Sequence, residues 1–137
     1  MARNYWLMKS EPDAYSWDDL VAEGEGTWDG VRNHRAANNL RAMKPGDHAF
    51  FYHSNIGLEI VGIAEISQSG LTDPSDPDGK WAAVKLKPVE KLPRAVTLKE
   101  IKATPALAEM ELVKLSRLSV GEVRPDEWKL ILSMAKK

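Results

Sequence analysis

Cysteine is absent from the 137 residues. That removes disulfides, thiolate metal sites and cysteine nucleophiles, and it fits a reducing compartment. Long apolar runs are missing too. The most hydrophobic stretch, residues 60–66, contains Glu65 and is far shorter than the roughly 20 residues that a membrane span requires. In the N-terminal MARNYWLMKSEP, Lys9 and Glu11 arrive too soon for a secretion signal. The expectation is a soluble cytoplasmic protein with no membrane partner, or a nuclear one in a eukaryotic cell. Charge of one sign is lacking as well: 19 Lys and Arg stand against 20 Asp and Glu, a net charge of −1. Coating of nucleic acid by bulk electrostatics, which calls for a strongly basic domain, is thereby excluded, but a local basic face is not. Residues 30–39, GVRNHRAANN, match neither a Walker loop nor a dinucleotide fingerprint. His34, His48 and His53 lack metal-ligand spacing, so neither metal nor cofactor is predicted.

What is present suits one globular domain over residues 1–137, without repeat or linker: 43% hydrophobic and 28% charged residues, in a chain long enough to bury a core. NYWLM at 4–8 reads as a buried strand that Pro12 brings to an end. Ser16 and Asp19 form a capping box for a helix over 17–23, and Gly24 stops it. Asn33 caps a second helix over 34–43, with Ala36, Leu40 and Met43 on its apolar face. After the turn at 44–47, HAFFYH (48–53) is a strand with Phe50 and Tyr52 on one side and Phe51 and His53 on the other. A turn at 55–57 leads to a central strand over 58–67. LTDPSDPDGK (71–80) is expected to be an exposed loop, and 81–88 a half-buried strand with Ala82, Val84 and Leu86 inward. Thr97 with Glu100 caps a short helix to Lys102, and Thr104-Pro105 opens another to about Met110. A closing strand at 118–123 precedes a helix begun by Pro125, with Trp128, Ile131, Leu132 and Ala135 on one face. The pattern is an α+β mixture around a small curved sheet or barrel. Trp6, Trp17, Trp81 and Trp128 are assigned to its core.

Chemistry concentrates in residues 28–55. Between Asp29 and Asp47 there is no carboxylate, yet Arg32, Arg35, Arg41 and Lys44 all fall there. A second acid-free basic segment, 112–121, holds Lys114 and Arg117. Cations beside an aromatic, Trp28, and fixed hydrogen-bonding groups suit a flat anionic ligand such as a nucleotide. Trp28 next to Asp29-Gly30 also reads as a core residue at a turn. His53 and Ser54 do not form a nucleophilic dyad, because neighbours on a strand point to opposite faces. Lys9 beside Glu11 is the one pair whose proximity suggests acid–base chemistry. An interaction module indifferent to bases would instead show an exposed apolar patch.

Six ordered blocks carry a resemblance over essentially the whole chain: YWLMKSEPDAYSWDDL (5–20), WDGVRN (28–33), FYHSN (51–55), IVGIAE (60–65), VTLKEIK (96–102) and SRLSV (116–120). In this pattern the sequence resembles the EVE domain family, a branch of the PUA-like superfamily that also holds YTH and ASCH domains. It departs from the commonest pattern at His34-Arg35 and Gly121-Glu122. The resemblance implies a small pseudo-β-barrel of five or six strands with flanking and inserted short helices. It also implies a pocket for one flipped-out, modified base of DNA or RNA, bound without catalysis. An aromatic face and polar groups aimed at the Watson–Crick edge are what such recognition requires. Carried over residue by residue, the base-binding candidates are Trp28, Asn33, Tyr52, His53, Ser54, Asn55, Lys9, Ser10 and Glu11. The phosphate-binding candidates are Arg32, Arg35, Arg41, Arg117 and Ser119. Protein partners are implied by a standalone reader with no catalytic module of its own. The alternative is an ASCH-like hydrolase that uses Lys9 and Glu11 on a modified nucleoside.

Overall fold

The computed structural model describes residues 4–54, 57–115 and 117–136. Among them, six strands form one mixed sheet. The elements run β1 (Tyr5–Ser10), α1 (Trp17–Glu23), β2 (Gly26–Trp28), α2 (His34–Ala42), β3 (His48–His53), β4 (Glu59–Thr72), β5 (Ala82–Thr97), α3 (Leu98–Lys102), a 3-10 turn (Pro105–Leu107), α4 (Glu111–Lys114), β6 (Val120–Val123) and α5 (Pro125–Ala135). The strand order is β2-β5-β4-β3-β1-β6. β1 and β3 pair in parallel, and the other pairings are antiparallel. The α+β class with inserted short helices is as the resemblance implies. The hydrogen-bonded circuit is open, however: β2 and β6 are its two edges, so the sheet does not close into a barrel.

Period-two alternation sends the large side chains of the central strands to both faces. One face gathers Trp6, Met8 and Phe51 with Trp17 and Leu20 of α1 and Ala36, Ala37 and Leu40 of α2. The other gathers Leu7, Phe50 and Tyr52 with Ile101, Leu107, Leu112, Trp128 and Ile131 from the C-terminal helices. The sheet is therefore the middle of three layers. Trp128 stacks on Phe50 at 3.8 Å and on Tyr5 at 4.4 Å between ring centroids. This fixes α5, whose first turn is begun by Pro125.

Local chemistry explains the boundaries. Ser16 and Asp19 make the expected capping box, as do Thr97 and Glu100, and the Asn33 side chain accepts from the Ala36 amide at 3.0 Å. Asp47 is buried and accepts from the Trp6 indole (3.1 Å) and the Lys44 and Asn4 amides (3.0 and 3.2 Å). The 44–47 turn is thus bolted to the start of β1. Four expectations are corrected. β4 and β5 run well past 67 and 88, bent by register shifts, which is how a strand carrying Pro88 and Pro93 stays in a sheet. The 71–80 loop is anchored by Asp73, one of the most buried polar residues at 1% exposure. Thr104 makes no cap; its hydroxyl donates to the Glu100 carbonyl. Trp81 is only half-buried, stacked on His34 at 5.0 Å with the Arg32 guanidinium 5.5 Å from its ring.

Gly62 lies where the Trp17 ring crosses β4; a Cβ there would come within 2.8 Å of three ring carbons. Gly62→Ala is expected to destabilise by about 1–3 kcal/mol through overpacking, read as a lower urea midpoint with unchanged slope. A second expectation concerns acid. The Arg94 guanidinium and the Thr97 amide hold the Glu100 carboxyl down to about 2, against an ordinary 4.5. Because the folded value is the lower one, its stabilisation is complete above pH 4.5 and lost as pH falls towards 2. Glu100→Gln keeps the capping geometry and should flatten the stability profile within that window.

Candidate functional site

Parallel pairing places the last residues of β1 beside the last residues of β3: Lys9 faces Tyr52 and Ser10 faces His53 in the register. The Ser54 amide donates to the Ser10 carbonyl at 2.9 Å, and the Lys9 amide to the Ser119 carbonyl at 2.9 Å. Three segments distant in sequence thus meet at one sheet end. A cleft with two lobes opens there. The first, about 670 Å³, runs along the β1 end, Tyr15, and the segment from Thr27 to Asn33. The second, about 440 Å³, lies over Tyr52, Ser54, Leu98 and Arg117. Lys9, Glu11 and Ser119 line both lobes and form the wall between them.

The first lobe is built on aromatic packing. Trp28 ends β2 with 8% of its surface exposed and stands edge-on to Phe51 at 5.7 Å. It is at once a core residue and part of the cleft lining. Beyond it the chain turns at Gly30, whose φ of 75° suits glycine. Asp73 holds this turn from below. It accepts from the Gly30 amide at 2.7 Å, the Arg32 guanidinium at 2.9 Å, and the Ser75 amide and hydroxyl at 2.7 and 2.6 Å. Burial alone raises a carboxyl's pKa, but these four donors outweigh it and hold Asp73 well below the usual range.

The wall carries the ionisable groups. Burial lowers the Lys9 ammonium's pKa and raises the Tyr52 phenol's. The Lys9 Nζ sits 5.8 Å from the Tyr52 ring centroid, within cation–π range. The Ser10 hydroxyl donates to the Tyr15 carbonyl at 2.5 Å, tying the strand end to the following loop. Tyr15 packs its ring against Phe51 and bonds Glu23 through its hydroxyl.

Several candidates have structural partners. The His53 Nε2 accepts from the Trp17 amide at 3.1 Å and caps α1. That bond requires a neutral ring with its proton on Nδ1, and burial lowers its pKa in the same sense. His53 lines neither lobe. Asn33 lines the first lobe while its side-chain oxygen caps α2. Arg35 pairs with Glu111 at 2.8 Å at the cleft margin near Arg117. Arg41 bonds Asn38 and the Lys80 carbonyl at the far end of α2, away from the cleft. Arg32 borders the first lobe, committed to Asp73. Asn55 lies outside the described residues. The structure therefore brings Lys9, Ser10, Glu11, Trp28, Asn33, Tyr52, Ser54, Arg32, Arg117 and Ser119 to one concave surface, and leaves His53 and Arg41 off it. Sequence reasoning missed Tyr15, Asp73 and Lys102. Tyr15 had a signal, an aromatic in a proline-containing polar loop. The other two had none, because their place depends on strand and loop packing. Among the described residues no three His, Asp or Glu side chains cluster as a metal site would require.

These features define a small α+β fold with an open, polar, partly cationic cleft at the end of a parallel strand pair. The chain belongs to the EVE domain family, whose model matches residues 4–134. It is 39% identical to mouse thymocyte nuclear protein 1, over 96% of this chain and 73% of that protein. A Rhodopseudomonas palustris protein solved by NMR superposes with a TM-score of 0.93 at 51% identity, covering 97% of this chain and 93% of its own. The human THYN1 protein, in a crystal structure with 5-methylcytosine-containing DNA, superposes with a TM-score of 0.91 at 34% identity, covering 98% of each chain. An ASCH protein from Zymomonas mobilis, at 12% identity and a TM-score of 0.58, shares the fold alone.

Asp73→Ala leaves the Gly30 amide and the Arg32 guanidinium without their acceptor. A loss of about 1–3 kcal/mol is expected, measured by urea denaturation, with faster amide exchange at Gly30 and Ser75. Unchanged exchange at both amides would show that Asp73 does not hold the turn.

Proposed function

We propose that this chain is a DNA-binding domain that reads a modified cytosine, extruded from the duplex into the first lobe. The observation that carries the reading is the convergence of Trp28 with Lys9, Ser10 and Glu11 in one cleft, in a chain whose relative binds DNA containing 5-methylcytosine. Extrusion costs a few kcal/mol of stacking and pairing, offset by an aromatic surface and hydrogen bonds to the base edge. Trp28 supplies that surface, stiffened by Phe51 behind it. Lys9 and Glu11 supply a donor and an acceptor at the wall, and Ser119 a hydroxyl. The backbone at 29–31, held by Asp73, adds main-chain groups of fixed position. Arg117 and Arg35 at the margin, with Arg32, meet phosphates. The near-neutral net charge fits a reader whose cations are confined to the rim of one site, two of them, Arg32 and Arg35, already balanced by Asp73 and Glu111.

One observation favours a second reading. Lys9 has a lowered pKa and shares the wall with Glu11, the pair a hydrolase of modified nucleosides would use as nucleophile activator and acid–base group. Binding and turnover are separated by a single assay.

Short single- and double-stranded oligonucleotides carrying cytosine, 5-methylcytosine, 5-hydroxymethylcytosine or N6-methyladenine are titrated against wild type, Trp28→Ala and Lys9→Gln, and each mixture is then analysed for altered nucleosides. The expected result is preference for a modified cytosine, weakened about tenfold or more in Trp28→Ala, with log affinity falling about 0.9 per neutralised phosphate for each tenfold rise in salt. Trp28→Ala also removes core volume, so its folding is checked by circular dichroism. Lys9→Gln, on the half-buried wall, tests the same surface with little loss of packing. Product formation abolished in Lys9→Gln would replace the reader with the hydrolase. Equal affinity for all four bases would overturn both.

A further inference from the structure

The second lobe is not needed to hold one base, yet it is built as a binding surface. Its charged lining residues are Lys9, Lys102 and Arg117 against Glu11 alone. Lys102 lies at the C-terminal end of α3, and Arg117 in the segment that leads into β6. Two chain regions thus bring cations to one rim. The lobe's apolar side is Leu58, Leu98 and Leu112. Leu58 is the unusual one. It is 44% exposed and is the one non-glycine residue among those described with a positive φ, at 46°. A bulky side chain in this conformation is strained, and glycine would serve the turn better. The Leu58 carbonyl accepts from the Leu98 amide at 2.8 Å, so the strained residue is tied to α3, which carries Lys102. An exposed leucine kept in a conformation that costs stability, in a lining with three cations to one carboxylate, matches a surface kept for a ligand with an apolar face and an anionic group.

We propose that the second lobe is the subsite for the nucleotide next to the read base, its phosphate between Lys102 and Arg117 and its base or sugar against Leu58 and Leu98. This rests on the reading of the first lobe as the base site. The two lobes share Lys9, Glu11 and Ser119, so a backbone leaving one enters the other across a single wall. A nucleotide combines the two chemistries of the lobe, a π-face or sugar for the leucines and a phosphodiester for the cations. Sequence context around the modified base then acts through how well that neighbour packs on the leucines.

The test compares 5-methyl-2′-deoxycytidine with the two dinucleotides that place thymidine on either side of it, each titrated by NMR against wild type, Lys102→Ala and Leu58→Gly. One dinucleotide is expected to bind wild type about tenfold more tightly than the nucleoside. That gain should fall to about twofold or less in both variants, with affinity for the nucleoside unchanged. Leu58→Gly suits the positive φ, so its thermal midpoint should hold or rise while the dinucleotide gain is lost. A dinucleotide gain that survives both substitutions overturns the subsite and leaves the base reading standing. Equal weakening of nucleoside and dinucleotide also overturns it, because the lobe would then act on the base site itself. Wild type that binds neither nucleoside nor dinucleotide overturns the base reading and the subsite with it.

Discussion

The parallel pairing of β1 with β3 is the constraint on which the rest of the structure depends. Both strands are buried on two faces, Trp6 and Met8 against Leu7 in one and Phe51 against Phe50 and Tyr52 in the other. A one-residue slip would turn every one of these side chains into the wrong layer, so the register is held by the whole core. The same register sets Lys9 beside Tyr52 and Ser10 beside His53. Two strands that pair in parallel finish at the same end of the sheet, so the register that buries their apolar residues also sets their polar ends side by side. The cleft is a by-product of hydrophobic burial.

Polar groups then refine what burial has placed. Asp47 ties the turn before β3 to the start of β1 through the Trp6 indole and the Asn4 amide. Asp73 does the equivalent at the cleft, at the other end of the strand pair, holding the Gly30 turn and Arg32. Each is a buried carboxylate surrounded by donors, an arrangement costly to leave half-made, and each joins segments more than forty residues apart. Asp47 fixes the strand starts, and Asp73 gives the first lobe a stiff wall. Ordering the 29–33 segment before a ligand arrives lowers the entropy cost of binding it.

The basic segments show how far tertiary context rewrites charge. Residues 30–46 carry no acid, yet Arg32 is matched by Asp73 and Arg35 by Glu111, both brought from distant elements. Of the cations that line the second lobe, Lys9 and Lys102 lie outside both acid-free segments, at the ends of β1 and α3, and only Arg117 comes from one of them, at the entry to β6. Local acid-free runs therefore mark a basic face less reliably than the topology does. His53 makes the same point for titratable groups. Its position after FFY on a strand invited a binding role, and α1 recruited its ring as a helix cap.

By itself the sequence determined the local elements and the faces they bury. Capping boxes at Ser16 and Thr97, the Asn33 cap, Pro125 at a helix start and the alternation in HAFFYH all rest on interactions within a few residues, which a chain carries wherever it goes. The pattern of motifs also placed the chain in its family, and Trp28 and Lys9, which the resemblance groups together, line one cleft in the fold. Only the tertiary structure decided the rest: the length of β4 and β5, the open sheet, the burial of Asp73 in an apparently exposed loop, the half-buried stack of Trp81 on His34, and the division of the cleft into two lobes. Each of these depends on contacts between residues far apart in the chain, set by register and layer packing. No local periodicity encodes such contacts.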